Sequence, residues 1–193
     1  GNNSNATIVN TTAVDLNTSS VKGNLSATAT TGNLIDSGTV TATGSGTFVT
    51  LADNAGIDLG TLAVTGAVAL TTTDSSGADS NATIVNASAL TLAASTVKGN
   101  LSATATTGNL TDSGTVTATG TGTFITLADD ADIDLGTLAV TGAIALTTTD
   151  STGNNSDASI VNATAVNLAA SYVKGNILAT ATTGDLTESG IVT

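Results

Sequence analysis

Apolar or small residues alternate with polar ones over most of this chain. From residue 97 to residue 105 the odd positions are apolar or small, and from residue 138 to residue 146 the even positions are. Such alternation is typical of a β-strand with one buried and one solvated side. β-Branched Thr, Val and Ile are abundant, whereas good helix formers such as Glu and Lys are rare. We therefore predict an all-β chain with strands nearly throughout and no helix.

The pattern recurs along the chain at a constant, long interval. The segment Asn5–Asn10 returns unchanged as Asn81–Asn86 and, with two substitutions, as Asp157–Asn162. We predict three units, the last of them partial: residues 1–76, 77–152 and 153–193. Repeat arrays usually have polar caps, and this sequence starts and stops within its pattern. We therefore expect the natural protein to continue in both directions.

A finer period lies within the repeat. Val97, Val116 and Leu135 are evenly spaced, each opens an apolar or alternating stretch, and four such intervals make up one repeat. This indicates a β-solenoid with coils of about 19 residues, four per repeat. The alternative is a string of β-sandwich domains, but a sandwich core usually needs bulky residues and this chain has only two Phe and one Tyr. The repeat boundaries also lack a Pro-rich linker, so we favour one continuous solenoid.

The composition excludes several classes of function. Without His or Cys there is no imidazole acid–base pair, no thiol nucleophile and no zinc site of the usual kind. Without Arg there is no bidentate clamp for phosphate or carboxylate groups. A net charge of −12 argues against nucleic acid and anionic membranes as partners, and no apolar run is long enough to span a membrane. We expect no enzymatic activity, no catalytic residue and no cofactor.

Residues 90–104 and 108–120 carry a resemblance to a known family. These stretches are similar to the repeats of filamentous-haemagglutinin-type exoproteins, which are giant bacterial surface adhesins exported by two-partner secretion or related routes. The resemblance implies a right-handed parallel β-helix that acts as a rigid stalk or fibre at the cell surface. Its motifs are compositional and supply no catalytic residue, and the N-terminal secretion domain of the family is absent from this sequence.

These observations predict a structural, non-enzymatic segment of an extracellular bacterial fibre or adhesin stalk. The expected partners are neighbouring repeats of the same chain, identical chains end to end in a filament, and a host or cell-surface glycan. No nucleic acid and no membrane insertion are expected. The absence of Cys fits export of an unfolded chain, because a premature disulfide would obstruct translocation.

An acidic cluster in the second repeat is the one candidate metal site. Asp130, Asp132 and Asp134 alternate along the chain and would share one strand face, and carboxylate oxygens suit Ca²⁺. However, Thr141 stands where a calcium loop of the EF-hand type has its bidentate Glu. In the first repeat the matching residues are Asn54, Gly56 and Asp58, so two of the three carboxylates are missing. We interpret the cluster as a solvated acidic edge and assign no metal site, with calcium binding as the alternative.

Threonine supplies the candidate ligand surface. Thr-x-Thr elements recur, and ranks of Thr on a flat solenoid face would present hydroxyls and methyls to ice or to a glycan. Such ranks need Thr pairs at the same place on successive coils, and the spacing from Thr104 to Thr117 is shorter than one coil. We interpret most Thr as outward-facing strand formers. A ligand-binding solenoid remains the alternative function.

Asn and Lys occupy fixed positions in the repeat. Asn86 shares its parity with inward-facing residues, and its copies Asn10 and Asn162 are too distant to contact it, so we expect backbone groups as its partners. The many Asn-x-Ser/Thr triplets are expected by chance in this composition, and we give them little functional weight. One lysine per repeat would balance local acidic charge or discourage edge pairing: Lys22, Lys98 and Lys174.

Overall fold

The computed structural model describes residues 4–75, 79–153 and 155–193. These residues contain 22 β-strands and no helix. The strands are β1 (Ala6–Asn10), β2 (Val14–Leu16), β3 (Ser19–Val21), β4 (Leu25–Ala29), β5 (Leu34–Asp36), β6 (Val40–Ala42), β7 (Gly46–Thr50), β8 (Ile57–Val64), β9 (Val68–Thr71), β10 (Ala82–Asn86), β11 (Leu90–Leu92), β12 (Ser95–Val97), β13 (Leu101–Ala105), β14 (Leu110–Asp112), β15 (Val116–Ala118), β16 (Gly122–Thr126), β17 (Ile133–Val140), β18 (Ile144–Thr147), β19 (Ala158–Asn162), β20 (Val166–Leu168), β21 (Ile177–Ala181) and β22 (Leu186–Glu188).

The strands form two parallel sheets of eleven strands each. The chain passes alternately through them, so that each coil contributes to the first sheet, which contains β1, and then to the second, which contains β2. Nine coils stack in this way, and at about 4.8 Å per coil they make a rod about 40 Å long. Pairing of β8 with β10 and of β17 with β19 continues across both repeat boundaries. The predicted all-β solenoid is confirmed, and the alternative of separate β-sandwiches is wrong.

The coils are longer than the sequence predicted. Equivalent residues of successive coils are 19 apart in sequence at Asn5 and Asn24 but 25 apart at Asp132 and Asp157, with an average of about 21 over the solenoid. The three residues that suggested the shorter period do not stack on one another. Instead, Val97 pairs with Ala118, and Val116 pairs with Leu138.

The long repeat consequently covers three and a half coils rather than four. The segments β1, β10 and β19 are copies of one another in sequence, and they lie in the first, the second and again the first sheet. Phe48 likewise pairs with Leu70 in the first sheet, whereas Phe124 pairs with Leu146 in the second. Successive repeats are therefore related by half a turn about the solenoid axis. A residue at a given position of the repeat consequently lies in the same sheet only in every second repeat.

The core is a thin apolar layer enclosed by the two sheets. Inward-facing residues alternate along each strand with outward-facing ones, and the largest enclosed side chains are Phe48 and Phe124, both fully buried. Each ring lies over a glycine two residues earlier. A Cβ atom on Gly46 would come within 2.8 Å of the Phe48 ring, and one on Gly122 within 2.9 Å of the Phe124 ring. Small residues thus make room for the few large ones.

The coils turn at two edges, and the corners differ in length. On edge one, where the chain passes from the first sheet to the second, the successive corners are 11–13, 30–33, 51–56, 72–81, 98–100, 119–121, 141–143, 163–165 and 182–185. On edge two they are 22–24, 43–45, 65–67, 87–89, 106–109, 127–132 and 148–157, followed by a short corner near 174–176. Each edge thus contains runs of short corners, of three or four residues, and a pair of corners of six to ten. The varying corner length explains why no single coil period is visible in the sequence.

Six of the three-residue corners form two stacks centred on glycine. One stack lies on edge two and the other on edge one: Gly23, Gly44 and Gly66, and Gly99, Gly120 and Gly142. In each stack the glycine N–H donates to the carbonyl oxygen of the glycine one coil earlier, at 2.9 Å in all four cases. The backbones are therefore in direct contact at these corners.

Candidate functional site

The acidic cluster of the second repeat does not form the shared strand face that the sequence predicted. Strand β17 begins at Ile133, so of the three alternating carboxylates only Asp134 lies in it. Asp130 lies in a turn and has a φ of 56°, in the left-handed region that Asn and Asp tolerate best. Asn54 has a φ of 60° at the equivalent position of the first repeat. Among the described residues no group of three or more acidic side chains is arranged to hold a metal ion.

Carboxylates of this region bind backbone N–H groups of the neighbouring coil. Asp129 accepts hydrogen bonds from the Ser151 backbone N–H at 2.7 Å and from the Ser151 hydroxyl. Asp53 makes the same two bonds to Ser75 in the first repeat. Asp132 accepts from the backbone N–H of Asp157 at 2.8 Å. These side chains join adjacent long corners to one another.

Asp150 organises the longest corner of the second repeat. One of its carboxylate oxygens accepts from the backbone N–H groups of Thr152 and Gly153, both at 2.9 Å, and the other accepts from that of Asn155 at 3.1 Å. These hydrogen bonds stabilise the ionised form and hold the pKa of Asp150 below its usual value, against a smaller opposing effect of burial. The charge is therefore part of the folded corner.

This depressed pKa predicts a specific dependence of stability on pH. Because the folded-state pKa lies below that of the unfolded chain, the stabilisation by Asp150 is present above a pH of about 4 and is lost as pH falls through the folded value. We expect Asp150→Asn to unfold at lower urea concentration than the wild type at neutral pH, and the difference to shrink as the solution is acidified. Urea unfolding followed by circular dichroism measures this. Asp134→Asn, at an exposed strand position, is the control. A constant difference at all pH values would show that Asp150 acts without its charge.

Two further carboxylates, Asp36 and Asp112, stabilise β-bulges. Strands β8 and β17 each contain an irregularity at Gly60 and Gly136, where their register with the next strand shifts. Asp36 accepts from the backbone N–H groups of Gly60 and Thr61, both at 2.9 Å. Asp112 accepts in the same way from Gly136 and Thr137. The recurrent Asp-Ser-Gly sequence indicates a turn. It does not show that the carboxylate accepts hydrogen bonds, because the N–H groups that donate them lie in the coil that follows.

The buried asparagines bind backbone groups, as predicted. Asn86 is fully buried, and its side chain accepts from the Val64 N–H and donates to the Val64 carbonyl oxygen, both at 2.9 Å. Its amide also donates to the carbonyl oxygen of Ala89 at 2.8 Å. Asn162 makes the equivalent pair of bonds to Val140. Although Asn86 and Asn162 stand in Asn-x-Ser/Thr triplets, their burial excludes them as attachment sites for a glycan in the folded chain.

Each of the three lysines opens a three-residue corner. The backbone N–H groups of Lys98 and Lys174 donate to the hydroxyls of Thr72 and Thr148 in the preceding coil, at 2.8 and 2.9 Å. The Lys174 ammonium lies 4.8 Å from the centre of the Tyr172 ring, a cation–π contact. Tyr172 is half exposed and belongs to the third repeat only.

Outward-facing threonines form partial columns. In the first sheet Thr71, Thr96 and Thr117 pair on successive coils, but the same column also contains Val49 and Ala139. Thr104, by contrast, lies in the second sheet, on the opposite face from Thr117. The two threonines therefore do not share a rank, in agreement with their spacing in the sequence.

Each bulge opens a shallow groove on the outer surface. The groove beside Gly60, on the second sheet, has a volume of about 240 Å³, and that beside Gly136, on the first sheet, about 260 Å³. Equivalent residues line them: Thr39, Thr61, Val85 and Thr106 in one, and Thr115, Thr137, Val161 and Thr182 in the other. Hydroxyl groups surround a small aliphatic floor in both, with no charged side chain among the lining residues.

Two stretches of the chain are similar to a family of repeats. A profile of the family described as repeats of unknown function (DUF5649) matches residues 3–50 and residues 79–126, which together make just under half of the chain. The two matched stretches begin at equivalent positions of successive repeats. No curated protein and no solved structure matches the sequence. In the part of the chain that the structure describes, no helix has the length and apolar character needed to cross a membrane.

Proposed function

We propose that the chain is a rigid, non-enzymatic segment of an extracellular bacterial fibre or adhesin stalk. The observation that carries this proposal is the continuity of two eleven-stranded parallel sheets through all nine coils. In such a stack each coil contacts only its neighbours, and its backbone hydrogen bonds, worth about 1 kcal/mol net each, act together along the axis. Further repeats of the same chain, or identical chains end to end, are the proposed axial partners.

The polar groups of the solenoid support a structural role. Asp36, Asp112 and Asp150 bind backbone N–H groups of corners and bulges, and Asn86 binds the backbone of the preceding coil. Asp36, Asp112 and Asn86 thus hold neighbouring coils together, and Asp150 holds the backbone of its own corner. The matched family description names no activity or partner, and the resemblance to filamentous-haemagglutinin-type repeats is our reason for placing the fibre at the bacterial cell surface.

Two measurements test this function. Small-angle scattering of the chain should give a rod about 40 Å long with a thin cross-section, and two or three copies joined in tandem should lengthen it in proportion. A compact particle whose length does not grow would contradict the stalk. Antibodies against the chain should label intact bacteria that express the whole protein. Labelling that requires lysis of the cells would overturn the extracellular placement.

A second candidate is a ligand-binding solenoid, which the threonine column and the two grooves favour. The column of Thr71, Thr96 and Thr117 would present hydroxyls and methyls to ice. The hydroxyl-lined grooves beside Gly60 and Gly136 would take a neutral glycan unit. Thermal hysteresis and a glycan array distinguish these ligands from a passive stalk. A signal on either that is lost in Thr96→Leu or in Gly60→Leu, respectively, would establish the ligand surface, and its absence would favour the stalk.

A further inference from the structure

Each of the two full repeats builds one flat patch on the outer surface of the solenoid. In the first repeat four successive strands of the first sheet form the patch, namely β1, β4, β7 and β9. In the second repeat four successive strands of the second sheet form it, namely β10, β13, β16 and β18. Each of these strands contributes two outward-facing residues, which stand two positions apart. The register of the strands aligns the outward residues in two columns parallel to the axis.

The two patches have almost the same composition and face opposite directions. The first patch consists of Thr7, Val9, Ser26, Thr28, Thr47, Val49, Ala69 and Thr71, and the second of Thr83, Val85, Ser102, Thr104, Thr123, Ile125, Ala145 and Thr147. They differ only at Val49 and Ile125. Thr104 is buried, and the other residues of both patches are half-buried or exposed. Because successive repeats are half a turn apart, the patches lie on opposite faces, about 17 Å apart along the axis.

The charged residues of the chain lie away from these patches. None of them belongs to a strand that forms a patch, and the three lysines lie in corners. Nine of the fifteen acidic residues also lie in the corners on the two edges: Asp53, Asp74, Asp79, Asp129, Asp130, Asp132, Asp150, Asp157 and Asp185. A second molecule of this chain that approaches an edge therefore meets acidic side chains. One that approaches a patch face-on meets no charge within it.

We propose that the two patches are interfaces for a second copy of this chain, which packs against them face to face. The chemistry of a patch is self-complementary, because a hydroxyl both donates and accepts hydrogen bonds and an identical surface can therefore pair with it. The methyl groups of Val, Ile and Thr supply apolar contact, and β-sheets pack face to face in this way about 10 Å apart. The contact is lateral, so it goes beyond the proposed axial stalk and does not depend on it.

The arrangement of hydroxyls favours a second copy over ice as the partner. An ice-binding surface needs threonine pairs at the same place on successive coils. In both patches, however, no strand carries threonine at its two outward positions. Threonine is always paired with Val, Ile, Ser or Ala, as in Thr47 with Val49 and Ser26 with Thr28. Apolar and hydroxyl groups are thus mixed over the whole patch.

The small size of a patch makes a single contact weak. A patch is four coils tall, about 19 Å, and two residues wide, which gives about 250 Å² per copy. Stable interfaces bury about 800 Å² per partner. We therefore expect short-lived pairs of single chains. Firmer association requires longer arrays, in which a patch recurs on each face in every second repeat and several contacts form together.

Disulfide cross-linking tests the interface, because the chain has no Cys. Ser26→Cys places a thiol in the first patch, and Ser102→Cys places one in the second. The control is Thr41→Cys, at a position of β6 that is half-buried like the other two and lies in the second sheet outside both patches. Under mild oxidation at physiological salt, which screens the repulsion between two copies of net charge −12 beyond about 8 Å, each patch variant should form dimers about tenfold faster than the control. Equal rates for the three variants would overturn the proposal.

A glutamate in the patch provides the second readout. Thr47 pairs with Ser26 on the adjacent coil, so Thr47→Glu in the Ser26→Cys background places like charges at the interface on both copies. Dimer formation should fall to the rate of the control thiol. Thr41→Glu in the same background adds the same charge on the opposite face and should leave the rate nearly unchanged. Circular dichroism and urea unfolding check that both variants are folded. Equal slowing by both would show that net charge alone governs the encounter, and it would also overturn the patch interface.

The same variants distinguish a self-interface from a ligand surface. If thermal hysteresis or a glycan-array signal is lost in Thr47→Glu while the three cysteine variants cross-link at equal rates, the patch binds a ligand and the proposed contact between copies is wrong. The scattering measurement of rod length is independent of these rates. The lateral contact and the axial stalk can therefore fail separately.

Discussion

Gly120→Ala should unfold the middle of the solenoid at much lower urea concentration than the wild type. Gly120 is the central member of a stack whose backbones are in direct hydrogen-bonded contact, at 2.9 Å to Gly99 and to Gly142. A Cβ atom at this position would lie 2.8 Å from the carbonyl carbon of Gly99 and 2.9 Å from the backbone nitrogen of Asn100. Those atoms cannot retreat, because the ladders of both sheets fix the coil spacing at about 4.8 Å. We expect a loss of at least about 4 kcal/mol, at the upper end for a single substitution.

Gly136→Ala is the matched control for this prediction. It makes the same chemical change within the next coil, at a bulge where the nearest atom to an added Cβ is an Asp112 carboxylate oxygen at 4.0 Å. We expect its effect to stay within about 0.5 kcal/mol. Urea unfolding followed by far-ultraviolet circular dichroism compares the two variants. Hydrogen exchange should place the damage of Gly120→Ala in strands β13, β16 and β18. Equal unfolding midpoints for the two variants would contradict the packing argument.

The strands themselves were predictable from local patterns in the sequence. Alternation fixes which residues of a strand face inward, and it correctly placed Asn86 on the same side as Ile84. The absence of Pro and the scarcity of aromatic residues are consistent with a thin core in which Phe48 requires Gly46 beneath its ring. These predictions require only the two-residue period of a β-strand and the sizes of the side chains.

The number of coils per repeat could not be predicted in the same way. A residue pattern recurs along the chain when the structural environment of its residues recurs. In a solenoid of two similar sheets, an equivalent environment recurs after half a turn. The equivalent strands β1 and β10 can therefore lie in opposite sheets without any sign of this in their identical sequences. Corner lengths from three to ten residues conceal the coil period further.

The polar sites were only partly predictable. Asp36 and Asp150 bind backbone N–H groups that become neighbours only when the corners and coils are in place, so their sequence context shows a turn and nothing more. For Asp130, however, the sequence did contain evidence for a turn. Asn54 and Asp130 occupy the same repeat position, and both residue types tolerate positive φ, which indicates a turn rather than a strand face.

Asn86→Ala should be nearly as destabilising as the glycine substitution, for a different reason. The side chain of Asn86 stands where the pairing of β8 with β10 is interrupted, and it supplies the missing partners for the N–H and carbonyl oxygen of Val64. Its removal would leave the buried Val64 N–H without this partner and would leave the Val64 carbonyl oxygen with only the Ser88 hydroxyl, at 3.3 Å. At about 1 to 3 kcal/mol for each buried group left unsatisfied, we expect a loss of about 4 kcal/mol in the free energy of unfolding.

Asn10→Ala tests whether burial is what makes this asparagine important. Asn10 ends an identical six-residue segment but is exposed, and its amide donates to Thr12 and Ala13 of its own corner. Water can replace such bonds, so we expect a loss of about 1 kcal/mol or less. Asn86→Asp adds the complementary test, because it keeps the shape and one acceptor while removing the donor amide and burying a charge. It should destabilise at least as strongly as Asn86→Ala in urea unfolding at neutral pH. If Asn86→Asp is tolerated, or if Asn10→Ala and Asn86→Ala have equal effects, the side chain acts by filling space and does not complete the ladder.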